Sequence, residues 1–225
     1  MSTKYSIGLT NQLADALEAA GYEPDDVTRM RSNVEALRQF KEVLEGRAQI
    51  VQVESRWREE DGVIYFTVTS NGKTGEEWII HLESLGFRIS DYAKQLLRSG
   101  EFKLTNGLTY EIAVLKGSLF DDNERITKKI RVEASRRKLT TPIAEIACLI
   151  RENFSDEELE AMGLYWIVTM HDPIKDSDGV PSLLSAGRDG GGRWLNACYG
   201  KPDRRWSRND GFAFVASQVW PFEPC

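Results

Sequence analysis

Residues 182–219 read SLLSAGRDGGGRWLNACYGKPDRRWSRNDGFAFVASQV, and this stretch decides how the whole chain is understood. Trp194, Tyr199, Trp206 and Phe212 recur in it between glycines, arginines and short polar residues. Segments 193–199 and 212–219 have the composition of strands, and the rings of Trp194, Trp206, Phe212 and Phe214 are expected to pack inward. Tyrosine, tryptophan and arginine also dominate protein recognition surfaces, because each joins a large rigid contact area to a polar handle. Basic residues (Arg188, Arg193, Lys201, Arg204, Arg205 and Arg208) outnumber Asp189, Asp203 and Asp210 here, on a chain whose net charge is -6. A mildly basic, aromatic-rich patch is therefore expected on an acidic protein.

Working outward, Leu164-Tyr165-Trp166-Ile167-Val168 is a continuous apolar run, as in a strand buried on both faces. Before it, Leu108, Tyr110, Ile112 and Val114 predict a strand that stops at Gly117. Two helices are expected between these strands. The first has Asp122 or Asn123 as cap and Ile126, Ile130, Val132 and Ala134 on its inner side; the second opens at Pro142 and buries Ile143, Ile146, Ala147, Leu149 and Ile150. Ser155-Asp156-Glu157-Glu158 predicts a short capped turn ending at Gly163. Further upstream, helical spacing appears at Trp78–Leu85 and, after the cap candidate Ser90, at Tyr92–Leu97. Ile50-Val51-Val53 and Val63-Tyr65-Thr67-Thr69 suggest a hairpin whose polar link is Arg58 to Gly62. Leu9 to Ala20, and Pro24 to Gly46 with a break near Ser32, read as helices. The expected class is α+β, divided into a helical module (1–46), a small α+β accessory region (47–107) and a C-terminal domain (108–225).

Hydrophobic residues at 41% and charged residues at 28% place the chain among globular proteins. No run is long and apolar enough to span a bilayer, and the first residues lack the apolar core of a secretory signal, so a cytoplasmic location is expected. Cys148, Cys198 and Cys225 are widely spaced and odd in number, which favours reduced thiols. His81 and His171 lack cysteine neighbours at ligand spacing, so neither a metal nor a cofactor is expected.

Several chemical readings compete with plainer ones. Gly190-Gly191-Gly192 lacks the lysine and hydroxyl residue of a phosphate loop, and a turn explains it. Asp176-Ser-Asp-Gly lacks the closing glutamate of a calcium loop. Cys198 has no basic partner nearby in sequence. His171 and Asp172 follow the buried strand, where catalytic groups often project. A hydrolase built on them, with Asp176, is one alternative; a polar loop tied by its own Asx turns is the plainer account. Nucleic-acid binding through Arg193, Arg204, Arg205 and Arg208 is another, disfavoured by the overall acidity.

The frame Arg188, Trp194, Leu195, Tyr199, Pro202, Trp206 and Gly211-Phe212-Ala213-Phe214-Val215 resembles the variable region of proteins diversified by retroelements that carry an error-prone reverse transcriptase. The likeness is specific over about residues 162–219 and extends in element order back to Leu108. It implies a C-type lectin-like domain, in which a first strand, two helices and a last strand frame a loop-rich ligand face. It also implies a non-enzymatic binding protein with a macromolecular ligand, protein before nucleic acid. Mutation at adenines would replace the end of the gene, since adenine-rich asparagine codons yield many residues and no stop. The resemblance makes Gly187, Asp189, Gly190, Asn196, Cys198, Gly200, Lys201, Asp203, Arg204, Arg205, Ser207, Arg208, Asn209 and Asp210 the solvent-facing, variable ligand surface. Arg188, Trp194, Leu195, Tyr199, Trp206, Phe212 and Phe214 would be its scaffold. The calcium-binding tripeptides of sugar-binding C-type lectins are missing, so calcium-dependent sugar binding is not implied.

Overall fold

A computed structural model describes residues 4, 6–49, 55–189 and 192–219. The chain divides into two compact units, Met1–Glu54 and Ser55–Cys225. The first contains helices α1 (Ile7–Ala19), α2 (Pro24–Ser32) and α3 (Val34–Leu44). Each start has a local cause: Ser6 Oγ accepts from Leu9 N–H, Glu23 and Asp26 form a capping box before Pro24, and Asn33 Oδ1 accepts from Ala36 N–H. None of the three helices has a buried residue.

The second unit is α+β. Its strands are β1 (Arg58–Glu60), β2 (Val63–Asn71), β3 (Arg88–Ile89), β4 (Asn106–Lys116), β5 (Trp166–Thr169), β6 (Ile174–Lys175), β7 (Pro181–Asp189), β8 (Gly192–Tyr199) and β9 (Asp210–Val219). Its helices are α4 (Gly75–Ser84), α5 (Asp91–Leu97), α6 (Thr127–Arg136), α7 (Glu145–Asn153) and α8 (Asp156–Ala161). All nine strands belong to one sheet in the order β1-β2-β4-β9-β5-β7-β8-β3, with β6 paired to β7. The β5/β9 and β3/β8 pairs are parallel and the rest antiparallel.

Alternation along the strands distributes the core to two faces. Ile64, Phe66, Ile112, Val114, Ala213, Ile167, Leu184 and Leu195 meet α4, α5, α7 and α8. Val63, Ala113, Leu115, Phe212, Phe214, Val168 and Leu183 meet α6 and Trp206. The expected boundary at residue 107 is therefore not a boundary between compact units. β2, from the supposed accessory region, pairs with β4 along nearly its whole length, and Trp78, Leu82 and Leu96 are fully buried in the shared core.

Local differences have identifiable causes. Arg58–Glu60 is not the link of a hairpin but its first strand, because Asp61 and Gly62 both hold positive φ (49° and 74°) and make a two-residue turn of the kind that antiparallel strands favour. The strand expected at Ile50–Val53 lies outside the described residues. Neither Asp122 nor Asn123 caps α6: its first N–H groups, from Thr127 and Lys128, donate to the carbonyls of Arg204 (3.1 Å) and Pro202 (2.9 Å). Val132, expected inside, is exposed.

Candidate functional site

The segment that joins β8 to β9 is held in place almost wholly by backbone atoms. Besides the two α6 contacts, Trp206 N–H donates to Arg125 O (3.1 Å) and Tyr165 N–H donates to Asn209 O (3.0 Å). A side chain at position 117 would collide with the carbonyls of Ser207, Arg208 and Asp210 at 2.6–2.8 Å, so glycine alone permits this approach. The one ring that anchors the segment is Trp206, which donates from Nε1 to Thr127 Oγ1 (3.0 Å) and meets Phe212 edge-on. Lys201, Asp203, Arg205, Ser207, Arg208 and Asn209 are exposed as a result, as is Asp189 at the end of β7.

Other expected surface positions lie elsewhere. Asn196, Cys198 and Arg204 are half-buried and line a concavity. Gly187, Gly200 and Asp210 are buried, against expectation. A Cβ on Gly187 would lie 2.4 Å from Trp166 Cε3 and 2.5 Å from Tyr165 O; one on Gly200 would press on Leu183 and Pro173 at 3.1 Å. Asp210 accepts from Ser207 N–H (2.8 Å), and burial raises its carboxyl above the usual range. Gly190 lies outside the described residues. Gly187→Ala is expected to cost roughly 1–3 kcal/mol through overpacking, read as a lowered midpoint in urea; an unchanged midpoint would mean that β5 and β7 shift apart freely.

Among the scaffold residues, Leu195, Trp206, Phe212 and Phe214 are buried. Arg188 is half-buried, spanning the Tyr165 ring and Glu160. Of the rings expected to pack inward, Trp194 departs, and the scaffold residue Tyr199 lies at the surface. Trp194 is half-buried, with Nε1 donating to Asp189 Oδ1 (2.9 Å) and Arg88 over its ring; Tyr199 is exposed. Trp194 shares its β8 face with the half-buried Asn196 and Cys198, whereas Tyr199 lies on the opposite face at the exposed end of the strand.

The concavity has two lobes that share Asn196, Cys198 and Arg204. The larger, about 380 Å³, is closed on its far side by Tyr92 of α5 and by Asp176 and Asp178 of the β6–β7 turn, none of which the sequence reading placed on the ligand surface. The smaller, about 260 Å³, runs under Trp166 to Trp206 and Asp210. Burial drives the Cys198 thiol up to about 12, so it is a neutral wall rather than a nucleophile. Asp176 forms the Asx turn: its Oδ1 accepts from Asp178 and Val180 N–H at 3.0 and 2.9 Å.

His171 sits apart and is buried. Its Nε2 accepts from Leu184 N–H (2.9 Å) and its Nδ1 donates to Asp172 O (2.7 Å), so both ring nitrogens are engaged by backbone. Arg193 stacks on Phe87 on the helical side of the sheet, whereas Arg204 stacks on Trp206 on the other, so these arginines do not form one basic patch. Among the described residues no group of histidine, cysteine and acidic side chains could hold a metal ion, and no helix is long and apolar enough to cross a membrane.

No protein-family model matches the chain, and neither the curated proteins nor the solved structures offer a match. The site's own geometry bounds what it can bind. It offers an open, polar, amino-acid-sized hollow beside a run of outward side chains whose backbone is fixed independently of their identity.

Proposed function

We propose that the chain is a ligand-binding protein rather than an enzyme, that its second unit is C-type lectin-like, and that residues 189–209 form a surface diversified by a retroelement reverse transcriptase. The observation that carries this reading is the backbone anchoring of residues 202–209. Carbonyl acceptors at Pro202, Arg204 and Asn209 hold the segment whatever side chains those positions bear. Such a segment tolerates wholesale replacement of its side chains, which is what a diversified surface requires. The lectin-like part of the proposal draws support from β4 and β9, which are antiparallel neighbours with α6 and α7 between them in sequence. The ligand is proposed to be a macromolecule, with protein favoured over nucleic acid and a cytoplasmic setting retained.

The burial of Gly187, Gly200 and Asp210 narrows the proposed variable set to Asp189, Gly190, Asn196, Cys198, Lys201, Asp203, Arg204, Arg205, Ser207, Arg208 and Asn209. The decisive test is genomic. A reverse transcriptase gene nearby, and a template repeat that differs from the end of this gene at adenines in those codons, are expected; their absence refutes the diversification. A protein-level test complements it. Replacing Lys201, Asp203, Arg205 and Arg208 together with serine is expected to leave the melting temperature within a few degrees, because exposed substitutions typically change stability by under about 0.5 kcal/mol each.

A further inference from the structure

Among the described residues, the larger lobe holds charge of both signs that is in no close ion pair. Asp178 is exposed, and among the described residues its carboxylate accepts a single 3.3 Å hydrogen bond, from the Tyr92 hydroxyl. Asp176 adds negative field, but its oxygens already serve Asp178, Val180 and Ser182. Across the lobe, Arg204 lies over the Trp206 ring at 4.4 Å and near that of Tyr199 at 5.9 Å. Its Nε is shielded from water without an acceptor, and among the described residues it has no ion-pair partner. A shielded donor left unpaired costs about 1–3 kcal/mol, which an acceptor on a ligand would recover. Beside it, Asn196 Oδ1 already accepts from Ala197 N–H, leaving the amide NH2 to donate.

We infer that this lobe binds a dipolar ligand of amino-acid size, its cationic end between Asp178 and Tyr92 and its carboxylate on Arg204 and Asn196. A guanidinium stacked on a ring presents its remaining donors edge-on, the arrangement suited to a carboxylate. A simple anion would meet the field of Asp176 and Asp178, and a simple cation that of Arg204. Only a ligand carrying both charges, set apart, is favoured at both ends. The volume of about 380 Å³ is within the range of small-molecule sites. The inference rests on the binding reading above and deepens it. Asp178 and Tyr92 lie outside the proposed diversified stretch whereas Asn196 and Arg204 lie inside it, so the cationic contact is common to all variants and the anionic one particular to this chain.

The test uses the full chain and 6-aminohexanoate with its shorter and longer homologues, followed by NMR or calorimetry. Hexylamine and hexanoate serve as single-charge controls. One homologue is expected to bind saturably and about ten-fold more tightly than either control, a difference of about 1.4 kcal/mol. Asp178→Asn should erase its advantage over hexanoate, and Arg204→Gln its advantage over hexylamine, with unchanged melting temperatures. A peptide ending in lysine carries the same charge pair; tighter binding by it than by the free probe assigns the ligand to a protein terminus, the reverse to a small molecule. The inference is overturned if no homologue exceeds its controls, or if neither substitution alters the preference. These results do not depend on a template repeat, so a failed genomic test and a failed binding test are distinguishable.

Discussion

Arg151→Met is expected to destabilise the second unit by roughly 3–5 kcal/mol, the penalty typical of removing one partner from a buried charged network. Arg151 has no exposed surface. Its Nη1 donates to Gly187 O (3.0 Å), Nη2 donates to Phe154 O, and the guanidinium pairs with Asp156 (3.1 Å) while lying over the Phe87 ring (4.7 Å). One side chain thus joins α7, the start of α8, and β7 where it passes Trp166. Methionine fills a similar volume but leaves two carbonyls without donors. A loss of this size is a large part of the 5–15 kcal/mol typical of a folded domain, so the melting temperature should fall by about 10 °C. A drop of under about 1 kcal/mol for Arg151→Met would show that these carbonyls find other donors.

The second large effect is a dependence on pH. Burial lowers the His171 pKa from 6.5 to about 4. The unfolded chain therefore takes up a proton at this side chain as pH falls through 6.5, while the folded chain resists until about 4. Stability from this group is fully present above 6.5 and is lost between 6.5 and 4, a change of about 3 kcal/mol. Buried Glu145 and Asp210 have raised pKa values and act in the opposite sense, their contribution fading as pH rises. Comparison with His171→Gln isolates the histidine. The variant should be less stable at pH 7, because its backbone partners are poorly met, yet lose less stability on acidification to pH 4.5 in urea titrations. Parallel pH curves for the two proteins would refute this.

Much of the second unit was legible because its elements bury one periodic stripe each. The spacing of Trp78, Ile79 and Leu82, the Ser90 cap, and the Ser155 capping box all mark helices that form where expected. What escaped depends on groups distant in sequence. β1 is all charged, and only the Asp61-Gly62 pair betrays it. The start of α6 takes its hydrogen bonds from carbonyls some seventy-five residues later, so no local cap could have located it. Gly187 looks like a loop glycine until Trp166 is placed against it. The far wall of the concavity is similar: Tyr92 and Asp178 come from a helix and a turn that only the sheet brings opposite Arg204.

β9 lies in the middle of the sheet, hydrogen-bonded to β4 on one side and to β5 on the other. β9 is thus the strand that joins the two halves of the sheet, and neither half is closed until it is in place. A premature stop or frameshift between residues 189 and 209 would omit this strand and leave apolar surface on both halves uncovered. Such products would be recognised as unfolded and degraded, so only full-length, in-frame versions of the surface would accumulate in the cell.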